Sequence, residues 1–255
     1  MDLELKDKAF LVTGGTDGLG LALAQRLVAE GGRVAVCGRN AERLAQAQER
    51  LGADALCLQT DVTDAAQLDA FVDAALSRFG RLDGLVNNAG QTAATAIATS
   101  SDEQWRNDYE LKVVAALHLT RTVLPALETT GGAIVNVLAI LARAPGASTT
   151  PTSASRLAGL AFTKSLASEV GPRGIRANAI LIGIIESGQW VRRAEAAGVT
   201  VDEFYQTTAQ NAHIPLGRVG RADEFADLAS YLLSPRASYV TGVGIALDGG
   251  LSPVI

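Results

Sequence analysis

Lysine, histidine, cysteine and aromatic residues are all scarce in this chain of 255 residues. The two cysteines, Cys37 and Cys57, lie in short apolar runs that read as buried strands, with no CxxC pair and no Cys/His cluster. A thiol-built metal site is thereby excluded, both read as small apolar core residues, and no metal is expected. No apolar stretch is long enough and free enough of breakers to span a membrane, and the charged segment 1–8 lacks the apolar core of a signal peptide. The expectation is a cytoplasmic protein with no membrane partner. No block of like charge forms a basic arm, and a formal net charge of −5 argues against a nucleic-acid partner. Linkers, repeats and low-complexity segments are missing too.

What is present is an apolar share of 48%, enough to bury a large core. Strand-like runs at 9–13, 33–37, 55–59, 84–86, 133–138, 176–182 and 244–248 alternate with helical patterns at 19–30, 41–51, 65–79, 103–127, 153–170 and 222–233. Such alternation predicts a single α/β domain, a Rossmann-type doubly wound parallel sheet in three αβα layers. Only 186–215 breaks the rhythm. It is polar, carries little strand signal, and reads as a lid inserted near the sheet edge where ligands bind.

Between the first strand and the first helix stands Thr13-Gly14-Gly15-Thr16-Asp17-Gly18-Leu19-Gly20. Glycines there permit a tight turn and close approach of backbone to a pyrophosphate, which the free N–H groups of the helix start would hold. The strand–turn–helix setting is what makes the motif specific.

On these residues the chain resembles the short-chain dehydrogenase/reductase family. Asp61-Val62 looks like that family's adenine-contacting pair, and Asn87-Asn88-Ala89-Gly90 like its motif after the fourth strand. Gly217–Gly220 with Asp223-Glu224, Tyr239-Val240-Thr241-Gly242 and Asp248-Gly249-Gly250 match as well, in order along the whole chain. The resemblance implies a nicotinamide cofactor on Gly14, Thr16, Asp17, Gly18, Leu19, Gly20, Arg39, Asp61, Val62, Asn88, Ala89, Gly90 and Arg156. It adds Gly183, Ile185 and Ser187 at the carboxamide and phosphates, and it implies a homodimer or homotetramer built on the helices at 103–127 and 153–170. NADP(H) is favoured over NAD(H). Gly38 stands where NAD sites place an acid, and Arg39 follows it ready to pair with a 2′-phosphate. Asp17 pulls the other way, because many NADP-binding relatives carry a basic residue there.

The family's proton chemistry uses Asn, Ser, Tyr and Lys. Matched residue by residue, those positions fall on Lys112, Ala139, Thr152 and Arg156. The absence of a Tyr-x-x-x-Lys pair does not depend on that placement. The lysines are Lys6, Lys8, Lys112 and Lys164, and none has a tyrosine four residues before it. An aliphatic hydroxyl is a far weaker acid than a phenol, and arginine stays charged. Lys112 is the leading replacement, since a like charge at Arg156 would make its ammonium a usable acid. The plainer alternative is that Lys112 reaches solvent or pairs with Asp108 or Glu110.

Other residues carry weaker signals. Ser148, Thr149, Thr150, Thr152, Ser153 and Ser155 form a hydroxyl-rich stretch that would orient substrate or, more simply, cap the following helix. His118 reads as a helix-surface residue, and His213 as a lid residue over the pocket. Trp190, Arg192 and Arg193 sit in the lid, where the arginines would clamp a carboxylate or phosphate. Three functions remain open. The favoured one is an oxidoreductase acting on a carbonyl or alcohol with a non-standard proton donor. The others are a silent NADP(H)-binding partner or sensor and a non-redox enzyme on the same scaffold.

Overall fold

The computed structural model describes the whole chain, Met1–Ile255, apart from the side chain of Gln189. Its elements run β1 (Ala9–Thr13), α1 (Gly18–Ala29), β2 (Arg33–Gly38), α2 (Ala41–Leu51), β3 (Leu56–Gln59), α3 (Ala65–Phe79) and β4 (Gly84–Asn87). Then follow α4 (Asp102–Tyr109), α5 (Ala115–Thr130), β5 (Ala133–Ala139), α6 (Thr152–Val170) and β6 (Arg176–Ile182). The chain ends with α7 (Gly188–Ala197), α8 (Val201–Asn211), α9 (Ala222–Leu233) and β7 (Gly244–Leu247).

The strands form one parallel sheet in the order β3-β2-β1-β4-β5-β6-β7. β1 is buried along its whole length, as a central parallel strand covered on both faces must be. On one face Leu23 and Leu27 of α1 pack with Phe225 and Leu232 of α9. On the other, Phe71 of α3, Leu119 and Val123 of α5, and Leu166 of α6 form a second core. The strand order reverses between β1 and β4, so the crevice at their carboxyl ends is the expected ligand site.

Three expectations need correction. The helix over 103–127 is not uniform, because a π-turn at Glu110–Val114 separates α4 from α5. Periodicity of apolar residues cannot reveal one wider turn, and such turns gather at functional sites. The hydroxyls before α6 do not cap it: Pro151 holds the cap position without a side-chain bond, and Ser153 is buried inside the helix. Cys57 is half-buried, because β3 is an edge strand, whereas Cys37 is buried and its thiol is pushed up to about 12 by that burial. The predicted lid is helical, made of α7 and α8.

Candidate active site

The glycine-rich turn is drawn against β4. Gly14 adopts φ 62°, a backbone conformation that favours glycine. Asn88 Nδ2 donates to the carbonyls of Thr13 (2.8 Å) and Gly14 (3.1 Å), and the Asn88 and Ala89 amides donate to Thr13 Oγ1. Asn88 therefore shapes the turn. At the end of β2, a Cβ on Gly38 would stand 2.9 Å from Thr16 Oγ1, so an acid there would have to displace Thr16. Arg39 is exposed and reaches Asp61 at 3.8 Å. Asp61 accepts from the amide and hydroxyl of Thr63, and the Thr63 amide is the main cause of its lowered carboxyl pKa. Val62 lies beneath it, buried. A glycine turn held open in this way at the start of a helix has the form that cradles a dinucleotide pyrophosphate.

Next to this crevice lies a buried ionic centre. Lys112, in the π-turn, pairs with Asp108 one helical step earlier; both side chains are at most 1% exposed. Lys112 Nζ also donates to Thr152 Oγ1 at 3.1 Å. Thr152 Oγ1 accepts a second bond from the Ala93 amide at 2.9 Å, and Ser155 Oγ donates to the other Asp108 oxygen at 2.6 Å. Burial, and then the neighbouring Arg156, bring the Lys112 ammonium down to about 8, against the pull of Asp108.

Arg156 leaves α6 toward the sheet. Its Nη1 donates to the Val137 carbonyl at 2.7 Å, and its Nη2 lies where a Cβ on Gly90 would be, 2.9 Å away. Only a glycine leaves that space. Its buried Nε has no protein partner among the described residues. Burial lowers the guanidinium to about 10, which still leaves it charged at neutral pH. Behind it Asn87 Nδ2 donates to Asn136 Oδ1 (2.8 Å), and Asn136 Nδ2 to Thr163 Oγ1 (2.9 Å). These two asparagines line a narrow cavity shared with Lys112 and Arg156.

Sequence reasoning thus found Lys112, Thr152 and Arg156, and the structure brings them together. Of the two acids offered as partners of Lys112, the structure selects Asp108, four residues before it. Asn136 was missed as one polar residue inside an apolar strand. Ala139 ends β5 and offers no polar atom.

The other expected residues do not join this centre. Ser148 is exposed on the loop before α6, with φ 59°. His213 is exposed with φ 54°, its Nδ1 facing the Asn211 carbonyl at 3.0 Å. Arg192 turns to Asp17, and Arg193 lies over the Trp190 ring, which also packs on Phe204. His118 bonds Asp69 at 2.8 Å on the surface. Gly183 packs on Asp248, buried Ile185 pairs with Gly220, and Ser187 precedes α7 against Gly18.

Residues 14–252 match the family model described as Enoyl-(Acyl carrier protein) reductase. The chain belongs to the short-chain dehydrogenase/reductase family. Within that family it is 40% identical to a short chain oxidoreductase from Pseudomonas aeruginosa PAO1, across 97% of this chain and 98% of that one (TM-score 0.92). That protein was solved with NADPH and is described as containing an atypical catalytic center. L-sorbose reductase from Gluconobacter frateurii, complexed with NADPH and L-sorbose, is 32% identical over the full length of both chains (TM-score 0.93). The 3-oxoacyl-[acyl-carrier-protein] reductase of Salmonella typhimurium is 30% identical over 98% of this chain and 99% of its own.

Proposed function

We propose that the protein is an NADP(H)-dependent oxidoreductase of a carbonyl or alcohol substrate, in which Lys112 rather than a tyrosine supplies the proton. One observation carries this reading: a buried ammonium brought to about 8 donates to the hydroxyl that stands at the family's tyrosine position. The cofactor, when bound, supplies or takes the hydride. Lys112 then passes a proton to Thr152 Oγ1, and the Thr152 hydroxyl gives its own to the substrate oxygen. Both lone pairs of Thr152 are taken, by Lys112 and by the Ala93 amide, which leaves the hydroxyl as a donor. Arg156 keeps its charge beside the developing alkoxide and offers the nicotinamide ribose a hydrogen bond.

The test is NADPH consumption by the purified protein across a panel of ketones and aldehydes, with alcohols and NADP+ for the reverse direction. Turnover on any of them supports an enzyme. Tight NADPH binding without turnover on the whole panel returns the protein to a binding role.

The choice of NADP(H) rests on Gly38 and on the exposed Arg39 that follows it. Arg39→Ala is expected to raise the NADPH dissociation constant about tenfold, roughly 1.4 kcal/mol, while NADH is little changed. Calorimetry with both cofactors checks this, and equal losses would remove Arg39 from the 2′-phosphate.

Assembly follows from the surfaces of α5 and α6. Val114, Leu117 and Leu157 are 43%, 44% and 54% exposed on and beside these helices. A homodimer or homotetramer would bury them. Light scattering at micromolar concentration should show one of these, and a stable monomer would count against the proposal.

A further inference from the structure

Asp17 is the residue of the glycine-rich turn that the cofactor reading leaves unexplained. Its Oδ1 accepts from the Gly18 amide at 2.7 Å and so caps α1. Its Oδ2 faces away from the turn, toward the lid. Arg192 of α7 approaches that oxygen at 3.4 Å, and Arg43 of α2 at 3.8 Å. The lid backbone is closer still. A Cβ on Gly188 would stand 2.2 Å from Asp17 Oδ2, so α7 begins against the carboxylate and any larger residue there would push the carboxylate aside. Ser187, one residue earlier, lies against Gly18.

The two lid helices are held very differently. α8 is rooted by Ala209 and Tyr205, which cluster with Ile214, Val219 and Leu251. In α7 the only buried side chain among the described residues is Ala194. Trp190 meets Phe204 of α8, the chain just before α7 is tied to Gly220, and Arg192 gives α7 its ion pair with the glycine-rich turn at Asp17. Beside the contact an open cleft lined by Arg43, Gln46, Arg50, Val191 and Glu195 separates α7 from α2.

We propose that Asp17 is the latch of the lid, a positioning residue that fastens α7 to the turn that cradles the cofactor. A carboxylate at this position accepts from the α1 start and from Arg192, with the charge of Arg43 3.8 Å away. A lone half-exposed ion pair would hold little. Here the charge is combined with direct docking of the helix start, whose positive end faces the acid. Asp17 is thus spent on the protein itself and is not an acceptor for the ribose. The same turn would contact the cofactor on one side and the lid on the other, so ordering either one orders its neighbour. That coupling rests on the dinucleotide reading above; the latch itself does not.

The experiment is limited trypsin digestion of the intact protein without cofactor, reading cleavage after Arg193 by mass spectrometry. Asp17→Asn keeps an oxygen for the α1 cap but removes the charge, and Arg192→Gln removes only the lid arm. Each is expected to speed this cut about three- to fivefold. The double variant should be no faster than Asp17→Asn alone, since that change already removes the charge that Arg192 meets. Gly188→Ala should also speed it, by forcing the helix start off the acid. Trp190 fluorescence, in a Trp105→Phe background, reports the same release. Unchanged cleavage in both charge variants, or additive effects in the double variant, would overturn the latch. With NADPH present, protection of the Arg193 site should be weaker in Asp17→Asn than in the parent; equal protection would overturn the coupling.

Discussion

Lys112→Met is expected to lower turnover by about 10²–10⁴ while leaving the NADPH dissociation constant unchanged. Methionine keeps the length of the stem and carries no proton. The pH profile is the sharper readout. Burial, and then Arg156, lower the lysine from its ordinary 10.5 to about 8. Reduction needs the ammonium form, which is present below that value and lost above it. The rate of carbonyl reduction should therefore fall as pH rises through about 8. Alcohol oxidation needs the neutral amine and should rise through the same range. In Lys112→Met the limb disappears in both directions. If it persists, the titrating group lies elsewhere, and Lys112 is only a structural cation. Calorimetry on the same variant separates lost chemistry from a lost cofactor site.

The sheet and its cofactor crevice were legible in the sequence for a physical reason. A parallel strand covered on both faces must be largely apolar, and the runs Ala9–Val12 and Ala179–Ile182 inside β1 and β6 read that way. The glycines of the turn are equally plain, since backbone conformation leaves few substitutes at Gly14. The buried centre was legible only in part. Lys112, Thr152 and Arg156 were found through a family pattern that they fail to match. Asp108 was legible as an ion-pair partner of Lys112, but its burial was not, because an acid in a polar helix start looks solvated until tertiary packing buries it. The π-turn that carries Lys112 left no mark on the apolar spacing. The partner of the lid arginine Arg192 was not legible for a related reason. Sequence shows that Arg192 is charged and in the lid, but not that Asp17, 175 residues earlier, would occupy it.

Asp108→Ala is expected to destabilise the fold by about 3–5 kcal/mol, because it leaves the buried Lys112 charge uncompensated next to Arg156. For a domain of this size that corresponds to a fall in Tm of roughly 10 °C. Asp108 is the anion at the centre of this cluster, bonded to Lys112 and to Ser155, while Lys112 and Arg156 are both cations. Removing both members of the pair should cost less than removing the acid alone. The double variant Asp108→Ala/Lys112→Met is therefore expected to recover a large part of the loss, since an apolar replacement of a buried pair is nearly neutral. Asp108→Asn provides the functional arm. It keeps the shape and a group for Ser155, but it withdraws the charge that holds the Lys112 proton in place. The pH limb of reduction should then move below about 8, in the direction set by burial and Arg156. A merely structural aspartate would change Tm and leave the limb where it was. Equal destabilisation of the single and double variants, or an unmoved limb in Asp108→Asn, would show that Asp108 does not set the charge state of Lys112.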